Sequence, residues 1–237
     1  MAGATMRRWG PIALAALLLV GVGALVGLRF AAGLLKGKVV EGLGPGSEVR
    51  DVGVGFSGVA LEGVRIKGRA GWPAADTLRA DRVAVTPSLL GLLSGDIRVR
   101  SITVGRPYLS VWRSRDGSLR FLPSLLEAGA AGPPSAGPPA PPVRISRIRL
   151  REGAVELFDA TVATPPLRVR LEQIDATVRD VSAPTLAGRT RFELTGILKG
   201  VQRDGRVRVG GWLESGGRDA SVGVQLRSVD LVALQPY

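Results

Sequence analysis

The sequence predicts a mainly β protein, in which an N-terminal transmembrane helix precedes a twisted, largely antiparallel β-sheet array, either a curled groove or a sandwich, in two modules. Six stretches repeat an apolar spacing that suits strands. The chain of 237 residues contains Gly 33 and Pro 16, which suits turn-rich β structure. Residues 9–28 carry no charge, and as a helix this run is long enough to cross a hydrocarbon core of about 30 Å.

Residues 9–30 are predicted as a transmembrane helix that follows a short cytoplasmic tail, residues 1–8, containing Arg7 and Arg8. A cleaved signal peptide is the alternative, but the run exceeds the usual apolar length of roughly 7 to 15 residues and no clear A-x-A site follows. An uncleaved anchor is therefore favoured. Basic residues after the apolar run weaken the orientation that the positive-inside rule would assign from Arg7 and Arg8. The short N-terminal tail and the large C-terminal part favour translocation of the latter.

Residues 31–46 form a basic, glycine-rich juxtamembrane spacer. The segment from Gly53 to Gly58 then matches GxGxxG, the fingerprint of a dinucleotide-binding loop. Such a loop must open a helix whose N-terminus holds pyrophosphate. Residues 59–66 continue in strand spacing instead, so we reject the nucleotide interpretation.

The repeated spacing places apolar residues two, then three, then two positions apart. A step of three changes the face of a flat strand unless a β-bulge absorbs one residue. Shifting the third copy by 46 residues reproduces the fourth, and the same shift lays Leu109 and Val111 on Val155 and Leu157 and lays Trp112 on Phe158. Such repetition is typical of arrays whose strands bury apolar faces against neighbours. The copies are Val59, Leu61, Val64, Ile66; Leu78, Ala80, Val83, Val85; Ile97, Val99, Ile102, Val104; Val143, Ile145, Ile148, Leu150; Val169, Leu171, Ile174, Ala176; and Val224, Leu226, Val229, Leu231.

Residues 47–126 are predicted as the first β module. Gly105-Arg106-Pro107 is interpreted as a turn between two strands, and Asp116-Gly117 as the turn of a second hairpin. Residues 87–93 are expected to form a short helical or turn insert that caps the open end of the core.

Residues 127–142 are rich in proline, alanine and glycine, which predicts a semi-rigid exposed linker. The second β module, residues 143–237, is expected to contain strands near 143–151, 153–159, 167–180, 189–199, 206–214 and 220–229. Asp204-Gly205 and Gly216-Gly217 are predicted hairpin turns. Arginines at alternate positions indicate a solvated outer face at least as well as a ligand site.

Composition weighs against several functions. The chain has no Cys and no His, which removes thiolate chemistry, the commonest general base and the commonest metal ligand. Acidic residues are scattered without a nucleophile turn or a metal-ligand cluster, so we predict that the protein is not an enzyme and uses no cofactor or metal. The net charge of +12 suggests nucleic acid, but aromatic residues at 5% and the intervening membrane segment argue against it.

Taken in order, the anchor, the segment at 76–121 and the closing RSVDLVALQPY resemble the AsmA-like superfamily, anchored envelope proteins of Gram-negative bacteria to which TamB and YhdP are related. The resemblance covers nearly the whole chain after residue 40. It implies a short, N-terminally anchored member in the bacterial inner membrane, single-pass, with its C-terminal part in the periplasm. The family pattern has no catalytic residues to carry over.

The resemblance further implies a β-groove lined with apolar side chains that handles or transports phospholipid or another acyl-chain lipid, or serves outer-membrane assembly in the cell envelope. Other envelope proteins are expected partners. The alternative is a membrane-tethered interaction module with a closed β core and no lipid cargo, and strand alternation is the same for both. The residues predicted to line the groove are Val64, Ile66, Val83, Val85, Ile97, Val99, Ile102, Val104, Leu109 and Val111.

Overall fold

The computed structural model describes residues 46–55, 58–88, 98–120, 143–183, 188–214, 219–230 and 232. Within them, eleven strands form a single mixed sheet, which confirms the mainly β prediction for this part of the chain. The strands are β1 (Ser47–Gly55), β2 (Gly58–Lys67), β3 (Asp76–Pro87), β4 (Arg98–Gly105), β5 (Tyr108–Arg113), β6 (Leu119–Arg120), β7 (Val143–Asp159), β8 (Leu167–Ala183), β9 (Thr190–Leu198), β10 (Gly205–Leu213) and β11 (Ala220–Arg227).

The strands lie in the order β1-β2-β3-β4-β7-β8-β9-β10-β11 across the sheet. Neighbours on this path are antiparallel except β4 and β7, which run parallel. β5 continues beyond the end of β4, antiparallel to β3 and parallel to β7, and β6 pairs with β5. The pairing of β4 and β5 with β7 therefore joins the strands before residues 127–142 to those after them in one sheet.

Gly105-Arg106-Pro107 is not a turn between paired strands, so this prediction was wrong. The chain passes from β4 into β5 in the same direction, because both strands keep β3 on one side and β7 on the other. Arg106 has a φ of 46° and its N–H donates to the carbonyl of Arg151 at 2.8 Å. The N–H of Ala154 donates to the carbonyl of Pro107 at 2.7 Å. The segment is thus a kink that β7 bridges by hydrogen bonds.

The 46-residue shift seen in the sequence is the register of the parallel pair. It sets the matching positions of the two copies side by side along β4, β5 and β7. The aligned pairs include Val99 with Ile145, Val104 with Leu150, Leu109 with Val155, Val111 with Leu157, and Trp112 with Phe158. The repeat therefore describes neighbouring strands of one sheet.

The expected bulge is present in β4. Thr86 faces Ser101 and Pro87 faces Val99, so Arg100 is an extra residue opposite β3. A bulge of this kind keeps the apolar residues on both sides of the three-residue step on one face of the sheet. The spacing two-three-two is also the same in both directions. Antiparallel copies can therefore pair position for position, as β2 and β3 do.

The predicted hairpin at Asp116-Gly117 is confirmed, since Trp112 of β5 pairs with Arg120 of β6. The turn at Asp204-Gly205 joins β9 to β10. Of the GxGxxG segment, Gly53 to Gly55 end β1 and Gly58 opens β2, its antiparallel neighbour, so the segment leads into a strand and not into a helix. Strands β8 to β11 match their predicted positions to within a few residues, whereas the strands expected at 143–151 and 153–159 are one strand, β7.

Several predictions lie outside the described residues: the anchor at 9–30, most of the spacer at 31–46, most of the insert at 87–93, the linker at 127–142, and the Gly216-Gly217 turn. In the part of the chain that the structure describes, no helix has the length and apolar character needed to span a bilayer. The division into two modules stays a prediction.

Candidate functional site

One face of the sheet is apolar from the first strand of the path to the last. Residues directly opposite one another on paired strands project from the same face of a sheet. Following these pairs from strand to strand gives two rows of nine residues. Row A is Val52, Leu61, Val83, Val104, Leu150, Ala176, Leu194, Val209 and Val224. Row B is Val54, Val59, Val85, Ile102, Ile148, Val178, Phe192, Gly211 and Val222.

Together the rows form an apolar strip that is long enough for an elongated apolar ligand. Strands lie about 4.8 Å apart, so nine strands span about 38 Å. A further row on the same face passes through β5 in place of β4 and comprises Ile66, Leu78, Leu109, Val155, Leu171 and Leu198. One leaflet of a bilayer contributes about 15 Å of hydrocarbon, half of the core thickness. The strip is therefore longer than an acyl chain in a membrane.

Exposure of the apolar face rises from one end of the sheet to the other. Val52 of row A is 6% exposed at β1, whereas Val224 is 59% exposed at β11. The buried cluster of Val49, Val52, Val64 and Ala80 lies on β1 to β3. The residues of rows A and B on the middle strands are half-buried. The apolar face is thus packed at its β1 end and open to solvent at its β11 end.

Nine of the ten predicted lining residues lie on this face, and Ile97 lies outside the described residues. Val64 and Ile66 are buried, Ile66 completely at 0% exposure. The other seven are half-buried: Val83, Val85, Val99, Ile102, Val104, Leu109 and Val111. The structure therefore brings nine predicted residues together on one surface.

Sequence reasoning missed the second half of the same face. The residues of rows A and B on β7 to β11 continue the strip, yet none of them was among the predicted lining residues. The sequence already indicated this half of the face, because the repeated apolar spacing recurs at Ile145, Leu171 and Val224. Val49, Val52 and Val54 of β1 also carry a step of three followed by a step of two.

The opposite face is polar and carries the arginines that the sequence predicted to be solvated. Many are paired with carboxylates, as Arg65 is with Asp76 at 2.5 Å and Arg106 with Asp81 at 2.5 Å. A concavity of about 330 Å³ over β9 to β11 has Arg206 among its lining residues. Among the described residues, no group of three side chains of the metal-ligating types lies together.

A buried carboxylate on the polar face holds β5, β7 and β8 together. The Tyr108 hydroxyl donates to Glu156 at 2.6 Å, and Arg170 approaches the same carboxylate at 2.9 Å. Arg168 also donates to it. Burial is the largest single influence on Glu156 and would raise its pKa, but the hydrogen bonds from Tyr108 and Arg168 and the arginine charges together lower it. Burial, followed by the bond to Glu156, raises the pKa of Tyr108.

The loop between β2 and β3 covers part of the same polar face. Trp72 donates its indole N–H to the hydroxyl of Ser110 at 2.8 Å, and its ring meets that of Trp112 edge to face at 5.7 Å. Ser110 is fully buried and its hydroxyl donates to the carbonyl of Asp76 at 2.8 Å. These contacts cover the polar face over β5.

Comparison with models of protein families, with curated proteins and with solved structures found no match.

Proposed function

We propose that this protein binds acyl chains of phospholipid on the apolar face of its sheet and acts in lipid handling or outer-envelope assembly, as its resemblance to the AsmA-like superfamily suggests. The observation that supports the proposal most is the pair of unbroken apolar rows that cross every strand of the path. A packed core needs apolar residues as well, but it would leave few of them exposed. Rows that remain half-buried in the middle and open at one end suit a ligand that is itself apolar.

The proposal assigns no reaction to the protein. An acyl chain needs an apolar surface without specific hydrogen bonds, and rows A and B offer side chains of valine, leucine, isoleucine, phenylalanine and one alanine, with a glycine at position 211. We further propose that the uncharged run at residues 9–28 anchors the protein in the inner membrane, with the sheet in the periplasm. Such an anchor would hold the sheet, through its first strand, near a source of lipid.

The test is lipid content after purification of the full chain from a Gram-negative host in mild detergent. Lipid is extracted and quantified by mass spectrometry for the wild type, Val99→Asn and Val111→Asn. Both valines are half-buried on the apolar face. We expect each substitution to reduce bound lipid while the sheet still folds, with a loss of stability below the roughly 1 to 3 kcal/mol expected for an unsatisfied polar group in a packed core.

Thr103→Asn is the matched control. Thr103 is half-buried in the same strand as Val99, and its partners Ala84 and Arg149 place it on the polar face. We expect it to retain wild-type lipid. A wild type free of lipid, together with severe destabilisation by the two valine substitutions, would mean a closed core and would end the proposal.

A further inference from the structure

We propose that two copies of this chain associate through β11, antiparallel about a two-fold axis, so that their sheets and apolar faces become continuous. The proposal does not depend on lipid binding. All eight residues of β11 are exposed, and among the described strands β11 pairs with β10 alone. Val222, Val224 and Leu226 are 55%, 59% and 58% exposed. The outer main-chain edge and an apolar row are thus accessible together.

The two ends of the sheet differ in how they are protected. Natural edge strands carry charges, proline or bulges that discourage pairing with another chain. β1 has Glu48, Arg50 and Asp51, and its Val49 and Val52 are buried. β11 has no lysine or proline, and Arg227 at its end is the sole charged residue in the strand. This contrast favours a specific partner for β11 over β1.

The chain that follows β11 turns away from its free edge. Ser228 has a φ of 56°, and the Asp230 carboxylate accepts the N–H of Gln202 at 2.6 Å and that of Val232 at 3.0 Å. Gln202 belongs to the connection between β9 and β10. The described residues after β11 therefore lie beside the inner neighbours of β11 and leave its outer edge open.

The sequence of β11 complements itself in one antiparallel register. With Gly223 on the two-fold axis, Val222 faces Val224 and Ala220 faces Leu226 on the apolar side. On the polar side, Asp219 of each copy faces Arg227 of the other, which forms two symmetric opposite-charge pairs. A shift of one residue would turn the valines of the second copy to the polar face, and a shift of two residues would separate Asp219 from Arg227. An isologous pair of this kind closes on itself and leaves no β11 edge free for a third copy.

Cysteine cross-linking tests this register on the full chain in detergent, because the chain has no cysteine of its own. Gly223→Cys places a thiol next to its copy, since opposed antiparallel residues have Cα atoms about 4.5 to 5.5 Å apart, within disulfide range. A Cβ added at Gly223 meets nothing nearer than the Gly210 carbonyl at 3.7 Å, so the variant should fold. We expect copper phenanthroline to oxidise it to a covalent dimer.

Gln225→Cys is the matched control, exposed on the same face of the same strand. In the proposed register its two copies are four residues apart along the strand, roughly 13 Å, which is beyond disulfide reach. It should stay monomeric alone and cross-link only when mixed with Ser221→Cys, which faces it. Equal cross-linking of Gly223→Cys and Gln225→Cys, or none in either, would overturn the proposal.

A charge exchange gives a second test without new thiols. Asp219→Arg or Arg227→Asp alone sets like charges opposite each other, and we expect the dimer dissociation constant in analytical ultracentrifugation to rise about tenfold. The double variant Asp219→Arg with Arg227→Asp should restore it. Dimerisation that is indifferent to all three variants would contradict the register.

Discussion

The packed end of the apolar face should be far more sensitive to truncation than the open end. Ile66→Ala and Leu226→Ala are a matched pair, because each removes three carbon atoms from a residue of the repeated spacing. Ile66 is 0% exposed and Leu226 is 58% exposed. At about 0.8 kcal/mol per buried CH₂, three carbons give about 2.4 kcal/mol at full burial, and a cavity adds to this, so Ile66→Ala should cost about 2 to 5 kcal/mol.

For Leu226, only about two-fifths of the side chain is buried, which reduces the same transfer value to about 1 kcal/mol with no cavity term. The assay is chemical denaturation of the full chain in detergent, followed by fluorescence of the Trp72 and Trp112 pair. Dilution over a tenfold range of protein concentration separates the β11 dimer from the stability of the sheet. Equal losses for the two variants would refute the gradient of burial.

Three further predictions concern local contacts. Tyr108→Phe should lower the free energy of unfolding by about 1.5 to 3 kcal/mol in the same assay, because it removes a hydrogen bond to the buried Glu156 carboxylate; an unchanged midpoint would contradict this. Gly211→Ala should weaken the pairing of β10 with β11, because the added Cβ would overlap a carbonyl of β11, and the amides of this pair should then exchange hydrogen faster. Gly210→Ala is the control, since the nearest contact of its Cβ is at 3.7 Å and its exchange should stay unchanged. Equal exchange in the two variants would contradict this geometry. Hydrogen bonds from one serine hydroxyl and from the N–H and hydroxyl of a second serine lower the pKa of Asp116 from 3.8 to about 2. The stabilisation of the turn by the Asp116 carboxylate should therefore be complete above pH 3.8 and lost as the pH falls through 2. An NMR titration of Asp116 with an ordinary midpoint would argue against these bonds.

Much of the sheet could be predicted because its strands are indicated by the spacing of residues that are close in sequence. Alternation with one step of three marks the strands that carry a copy of the spacing, and the 46-residue shift anticipates the register between β4, β5 and β7. Nine of the ten proposed lining residues fall on one face for the same reason. The copies on β7 to β11 carried the same signal.

Other features depend on residues distant in sequence. Gly105-Arg106-Pro107 has the composition of a turn, and only the two flanking strands make it a kink. The pairing of Tyr108 with Glu156 brings together residues 48 positions apart through parallel pairing. The gradient of exposure also could not be predicted from the sequence. The copies that contain Ile66 and Leu226 have the same apolar spacing, but Ile66 is buried and Leu226 is exposed.

The most direct test of the acyl-binding face is photolabelling with a phospholipid that carries a diazirine on its acyl chain, followed by peptide mass spectrometry. Neighbouring residues point to opposite faces, so Val104 and Thr103, or Leu194 and Thr195, serve as internal pairs. We expect labels on Val104 and Leu194 and few on the threonines. Equal labelling of both faces, or labelling confined to residues 9–28, would contradict this expectation.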